Sequence, residues 1–244
     1  MTVTWEELGW ERLAEGVGRC RLPVWDCTAG LIVGEDFAFV VDTGSSLEEG
    51  ARVRDRVQRL AGRAVTGIAL THHHFDHVFG AAAFGPAPIF AAAGAQALYR
   101  EGRAELYADA VHNGLDPAAA RAATDALVRP GEYVGDVTAL GRGAGRDILL
   151  VRIGPGHTGH DLAVVVPGDP TVVFCGDLVE ESGEPQAGPD AVGTQWPAAL
   201  DRLLQLGGAD AVYVPGHGAV VDAEFLRRQR DDLAARFGVD EPTV

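Results

Sequence analysis

Thr71-His72-His73-His74-Phe75-Asp76-His77 follows directly on a short apolar run, Gly67 to Leu70. A strand that ends in a burst of imidazoles and a carboxylate is a rigid support for side chains projected into a cleft. The arrangement recurs along the chain. Gly154-Pro155-Gly156-His157-Thr158-Gly159-His160 follows the run Ile148 to Ile153, and Pro215-Gly216-His217-Gly218 follows Ala211 to Val214. Cys175-Gly176-Asp177 follows a run ending at Phe174, and Asp42 follows Phe37 to Val41. Glycines beside these residues let the backbone turn sharply and approach closely. One histidine can be buried as a core residue; three glycine-flanked clusters after three apolar runs are hard to explain by packing. Imidazole and carboxylate are donors suited to zinc and neighbouring first-row metals.

The intervening segments supply the scaffold. Leu31 to Val33 and Phe37 to Val41, joined by Gly34-Glu35-Asp36, predict a hairpin. Leu47 to Leu60 places Val53, Val57 and Leu60 at helical spacing. Ile89 to Ala91 predicts a short strand, Gly94 to about Ala110 a helix, and Pro117 to Leu127 a second helix. Residues 113–145, with turn signals at Pro130-Gly131 and Gly141 to Gly145, read as an insertion or cap beside the cleft. Leu162 to Val166 and Thr171 to Cys175 predict strands separated by the turn Pro167-Gly168-Asp169-Pro170. Trp196 to Leu206 predicts a helix. Glu224 to Phe237 predicts a charged terminal helix whose buried stripe is Phe225, Leu226, Leu233 and Phe237. No repeat and no low-complexity linker divides the chain. One α/β domain over residues 1–244, with two sheets and outer helices, is the simplest arrangement.

Composition narrows the function classes. The 244 residues suffice for a substantial core. A formal net charge of -15 disfavours nucleic acid as a partner. A bound divalent cation would reverse the sign locally, so an anionic substrate remains open. No apolar stretch is long enough to span a membrane. The acidic start MTVTWEELGWERL has no apolar signal core. Cys20, Cys27 and Cys175 are odd in number and lack C-x-x-C spacing, which predicts free thiols in a reducing, cytoplasmic setting.

The pattern H-x-H-x-D-H is met by His72, His74, Asp76 and His77, with His157, Asp177 and His217 following in order. On these residues the chain resembles the metallo-beta-lactamase fold superfamily, over roughly Ala29 to Phe237. The resemblance implies an αββα four-layer sandwich: two mixed sheets with helices on the outer faces. It implies that His72, His74 and His157 hold one metal, that Asp76, His77 and His217 hold a second, and that Asp177 bridges both. Asp42, in Asp42-Thr43-Gly44, resembles the family's structural aspartate; a plain strand-end turn role is the alternative. Two divalent cations are implied, zinc first, with manganese or iron accepted by the same donors. The implied activity is hydrolysis of a small-molecule ester, lactone, thioester or amide by a metal-bound hydroxide, with Asp76 as the catalytic residue that orients the nucleophile and relays its proton.

The chain also departs from the family's members. His77-Val78-Phe79-Gly80 stands where H-x-G-G is usual, and the arginine-rich glutathione-binding signature of glyoxalase II is missing. Asp177 stands where the zinc beta-lactamases carry cysteine or serine, which weighs against beta-lactam turnover. No extended basic tract supports a nuclease. An iron-dependent dioxygenase of the same fold is one rival, opposed by the intact His77 and His217. A nonenzymatic metal-binding protein is the other, and it has no need of so many convergent donors.

Several residues carry bland expectations. His73 alternates with two candidate ligands and should point elsewhere. His160 is either a support for a ligand or a structural residue. His112 is expected in solvent, and Cys175 as a small buried hydrophobe. Cys27 has no catalytic base beside it in sequence. Tyr107 and Tyr133 are expected to pack, while Trp25 and Trp196 stay open between core and substrate surface.

Overall fold

The computed structural model describes residues 3–141 and 147–239. Its first sheet contains seven strands in chain order: β1 (Glu11–Ala14), β2 (Val17–Arg21), β3 (Thr28–Val33), β4 (Ala38–Val41), β5 (Gly67–Ala69), β6 (Ile89–Ala92) and β7 (Glu132–Val134). β1 to β4 form an antiparallel meander, and β4 to β7 run parallel. The second sheet comprises β8 (Val137–Gly141), β9 (Asp147–Arg152), β10 (Leu162–Val166), β11 (Val172–Glu180) and β12 (Val212–His217). Here β8 to β11 are antiparallel, and β12 returns parallel to β11. Both sheets are therefore mixed.

Alternation along the strands sorts the apolar side chains into three cores. Phe39, Val41 and Ala69 of the first sheet meet Leu150, Val164 and Phe174 of the second in a cluster between the sheets. Val40 and Ile68 face the opposite way, onto α1 (Leu47–Ala61) and the helices α3 (Gln96–Glu101), α4 (Arg103–His112) and α5 (Pro117–Asp125). Val165, Val173 and Cys175 face α6 (Trp196–Gly207) and α7 (Ala223–Phe237). Three buried interfaces separate four layers, which is the αββα sandwich with helices outside. No helix among the described residues is long and apolar enough to cross a membrane.

Local chemistry sets the helix ends. The Ser46 side chain accepts from Glu49 N, and Gly62 closes α1 at φ 66°. Asp222 caps α7 by accepting from Phe225 N. On that helix Leu226 and Leu233 are buried, while Phe225 and Phe237 are only half-buried against the same core. Gln229 fills the stripe between them, donating to Leu178 O and accepting from Glu180 N.

Three expectations need correction. The helix expected from Gly94 to Ala110 is two helices broken at Gly102, where a Cβ would stand 3.3 Å from the His73 ring. Residues 113–145 are not an inserted cap in their described part. They supply α5, then β7 and β8, the edge strands of the two sheets, so they complete the sandwich. The Gly141 to Gly145 turn lies outside the described residues apart from Gly141, the last residue of β8. Finally, β11 and β12 run on through Asp177 and His217, past the ends of their apolar runs. Their pairing slips at Gly176, whose φ of 56° marks a bulge.

Candidate metal centre

The site lies at one end of the sandwich, where the two sheets are tied by Leu162 N–H donating to Thr71 O at 2.8 Å. From the first sheet, the segment after β5 passes through extended backbone at His74 into the one-turn helix α2 (Phe75–Val78). That change of conformation sets Asp76 and His77 beside His72 and His74. From the second sheet come His157 in the loop after β9, Asp177 at the bulge of β11, and His217 at the end of β12. The strands approach so closely that a Cβ on Gly216 would overlap Asp177 Oδ1 and one on Gly176 would press on Thr71. Gly176 and Gly216 are thus required by the close approach.

The seven candidate ligands are brought together. One group contains His72, His74, His157 and Asp177; a second contains His77, Asp177 and His217; within each, the donor atoms lie within 4.8 Å of one another. Asp177 belongs to both. Its Oδ2 is 3.5 Å from His157 Nε2 and 3.3 Å from His217 Nε2, and its Oδ1 is 3.2 Å from His77 Nε2. Asp76 Oδ2 lies 3.3 Å from His217 Nε2 and 3.5 Å from His77 Nε2. His74 presents Nδ1, 3.1 Å from His157 Nε2. Cys27 Sγ lies against the His77 ring, 3.8 Å from Nδ1, and donates to the Asp76 carbonyl at 3.3 Å. Burial pushes its thiol up to about 11, so it stays protonated there.

Each of the five imidazoles uses its other nitrogen on the scaffold. His77 Nδ1 donates to Asp42 Oδ2 at 2.9 Å. Asp42 also accepts from Thr71 N at 2.8 Å and from the Thr71 hydroxyl at 2.7 Å, and that hydroxyl accepts from His72 Nδ1 at 3.0 Å. His74 Nε2 donates to Asp190 Oδ2 at 3.1 Å, His157 Nδ1 to Gln186 O at 3.0 Å, and His217 Nδ1 to Trp25 O at 2.7 Å. Anchoring the outer nitrogen fixes both the ring plane and the tautomer, and turns the inner lone pair on the common point. Asp42 holds this position at a φ of 58°, a region few non-glycine residues enter.

The electrostatics show what the cluster calls for. Burial would raise the Asp177 carboxyl, but His77, His217 and His72 together hold it well below the carboxylate range. Burial would lower His217, yet Asp177 and Asp76 hold it up to about 12. His77 is also raised despite its burial, with the Asp177 and Asp76 carboxylates acting on it. Burial brings His157 down to about 4 and carries His72 well down. Two buried carboxylates thus demand positive charge that some imidazoles supply and others refuse. A divalent cation meets the same demand, with release of the protons it replaces.

The remaining residues sort cleanly. His73 turns away and sets its ring edge-on to Tyr99 at 4.3 Å. His160 packs beside Gly94, and its backbone N–H donates to the Thr158 hydroxyl at 3.0 Å. His112 is exposed at the end of α4. Cys175 is buried on the helix side of β11. Tyr107 lies under Arg121, and Tyr133 packs on the outer core. Trp196 is a core residue: it donates to Leu178 O, with its ring 5.4 Å from that of His157. Trp25 packs edge-on to Phe75, and its contribution to the site is its carbonyl.

Sequence reasoning missed Thr71, Gln186, Asp190 and Asp161. Thr71 could have been found from its place between the strand and His72. Gln186 and Asp190 sit in a polar loop without periodicity, and one of them acts through a carbonyl that any residue carries. Asp161 is buried and accepts from Thr158 N and Oγ1, bracing the loop that carries His157.

Residues 22–217 match the sequence model of a family described as the metallo-beta-lactamase superfamily. Among solved structures, the chain is similar to the DIM-1 metallo-beta-lactamase, with a TM-score of 0.72 and 17% identity over 93% of this chain and 97% of that one. A metallo-beta-lactamase from Pontibacter korlensis gives 0.72 and 20% over 92% and 97%. FIM-1 from Pseudomonas aeruginosa, in its mono-zinc form, gives 0.68 and 20% over 95% and 96%. Such identities carry the fold and not the substrate.

Proposed function

The chain belongs to the metallo-beta-lactamase superfamily, and from that premise we propose that it is a hydrolase working through two divalent cations, zinc by preference. The observation that carries this reading is the convergence of five scaffold-anchored imidazoles on the Asp177 carboxylate. The donor set fits the cations. His72 Nε2 is a buried polar atom without a hydrogen-bond partner, and it stands 3.7 Å from Asp177 Oδ2. Leaving such atoms unpaired is costly, and nitrogen and carboxylate oxygen are donors that zinc accepts.

His72, His74 and His157 would hold one cation; Asp76, His77 and His217 the other; Asp177 would be shared. When bound, the pair supplies Lewis acidity, which acidifies water near neutral pH and polarises a substrate carbonyl. Asp76 orients the attacking water and receives its proton on the carboxylate. Asp177 sets the spacing of the two halves. Asp42 and Thr71 keep His77 and His72 from rotating, so the site is organised before substrate arrives. The substrate class is a carbonyl compound: an ester, lactone, thioester or amide.

The test is metal analysis of protein purified without added metal, run beside a hydrolysis panel of those four classes. About two cations per chain and turnover of at least one class are expected. Asp177→Ala should lose metal and activity together. One iron per chain with oxygen consumption, or full metal content and unchanged turnover in Asp177→Ala, would contradict the reading.

A further inference from the structure

The loop from Leu22 to Cys27 joins β2 to β3 and closes through Leu22 N–H on Cys27 O at 2.7 Å. Cys27 is also backbone-bridged to His217, so the end of the loop lies along the last residue of β12. Trp25 O receives the His217 Nδ1 proton at 2.7 Å. On either side of Trp25 the backbone is in the left-handed region, at φ 81° for Val24 and 59° for Asp26. A β-branched residue rarely adopts that conformation, and it persists only where the surroundings impose it. Packing of Val24 does not impose it, because that side chain is 81% exposed.

Two side-chain contacts hold Trp25 and Asp26 in place instead. Trp25 sets its ring edge-on to Phe75, with centroids 5.2 Å apart. Arg21, the last residue of β2, forms a two-pronged pair with Asp26: Nε donates to Oδ1 at 2.6 Å and Nη2 donates to Oδ2. The planar guanidinium fork fixes the orientation as well as the position of the carboxylate. The Arg21 hydrogen bond holds the Asp26 carboxyl below its usual range. Neighbouring Arg19, also on β2, donates Nη1 to Gly218 O at 2.6 Å. β2 and its loop therefore grip the chain at His217 and at the residue after it.

We propose that Arg21 and Asp26 are positioning residues for His217: their fork locks the Leu22–Cys27 loop so that the Trp25 carbonyl holds the outer imidazole nitrogen and Nε2 faces the cleft. Its consequence for metal binding rests on the two-cation reading, and only the half of the centre that contains His217 depends on this clamp. His72, His74 and His157 are anchored elsewhere.

Two readouts test it, one of them independent of metal. The first is the exchange-protected Nδ1–H proton resonance of His217 in metal-free protein. The second is a stepwise titration with zinc alone. Asp26→Asn and Arg21→Gln should each lose the protected resonance and weaken the second equivalent of zinc at least ~10-fold, with the first changed less than ~2-fold. Arg21→Lys, which keeps the charge without the fork, should recover part of both. A resonance that stays protected in both variants, or an equal weakening of both equivalents, would overturn the clamp. If the resonance is lost but the wild-type chain takes up no second cation, the clamp stands and the two-cation reading falls.

Discussion

The interior of the centre and its rim anchor the same kind of ligand in different ways. In the interior, Asp42 is 2% exposed and serves His77 directly and His72 through Thr71, with bonds of 2.7 to 3.0 Å. At the rim, His74 leans on the half-exposed Asp190, while His157 and His217 lean on carbonyls of loops. Interior anchors are wired into strand ends and cannot relax without disturbing the fold. Rim anchors can move with their loops, so losing one should weaken cation binding while sparing stability.

Asp42→Ala should break that comparison most severely. It leaves Thr71 N–H and the His77 ring unpaired in the interior, at a cost of roughly 3 kcal/mol. Both cation equivalents should weaken, because His72 and His77 fall in different halves. Denaturant unfolding and zinc titration would measure the two effects; a stable variant with normal zinc affinity would erase the distinction between interior and rim.

Asp161 extends the interior class to the His157 loop. Burial pushes its carboxyl up to about 7 from the ordinary aspartate value of 3.8. A folded value above the unfolded one means the native state holds the proton more tightly. The associated stability is complete below pH 3.8 and is lost as pH rises through about 7. Across that window Asp161 should contribute a loss of up to roughly 1 kcal/mol per pH unit, opposing the gain from the depressed His72 and His157, and Asp161→Asn should remove that loss. Unfolding curves at a series of pH values would show whether the slopes differ.

Asp190→Ala is the gentlest probe. It frees His74 Nε2 at a half-exposed position, so stability should change by less than about 0.5 kcal/mol. Affinity for one cation should nevertheless fall about 10-fold, the lower end for an outer partner of a ligand. Loss of stability comparable to that of Asp42→Ala would place Asp190 with the interior anchors.

The same contrast explains what could be read from the sequence. The β3–β4 hairpin was legible because two apolar runs flank Gly34-Glu35-Asp36, and α1 because Val53 and Val57 repeat at helical spacing. β1 and β2 were not, because β2 buries Arg19, a charge that reads as surface until Gly218 O and Glu11 are seen to satisfy it. The edge strands β7 and β8 are short, and β8 alternates half-buried with exposed residues, so neither forms an apolar run. In the site, the residues that converge were legible from their chemistry and their glycines. Their anchors were not, because a carbonyl at Gln186 or Trp25 leaves no mark in the choice of residue.

The most direct test of two cations gripped around Asp177 is anomalous diffraction at the zinc edge from crystals of protein purified without added metal. Two peaks flanking Asp177 are expected, one bounded by His72, His74 and His157 and the other by Asp76, His77 and His217. A single peak away from Asp177, or none after reconstitution with zinc, would contradict it.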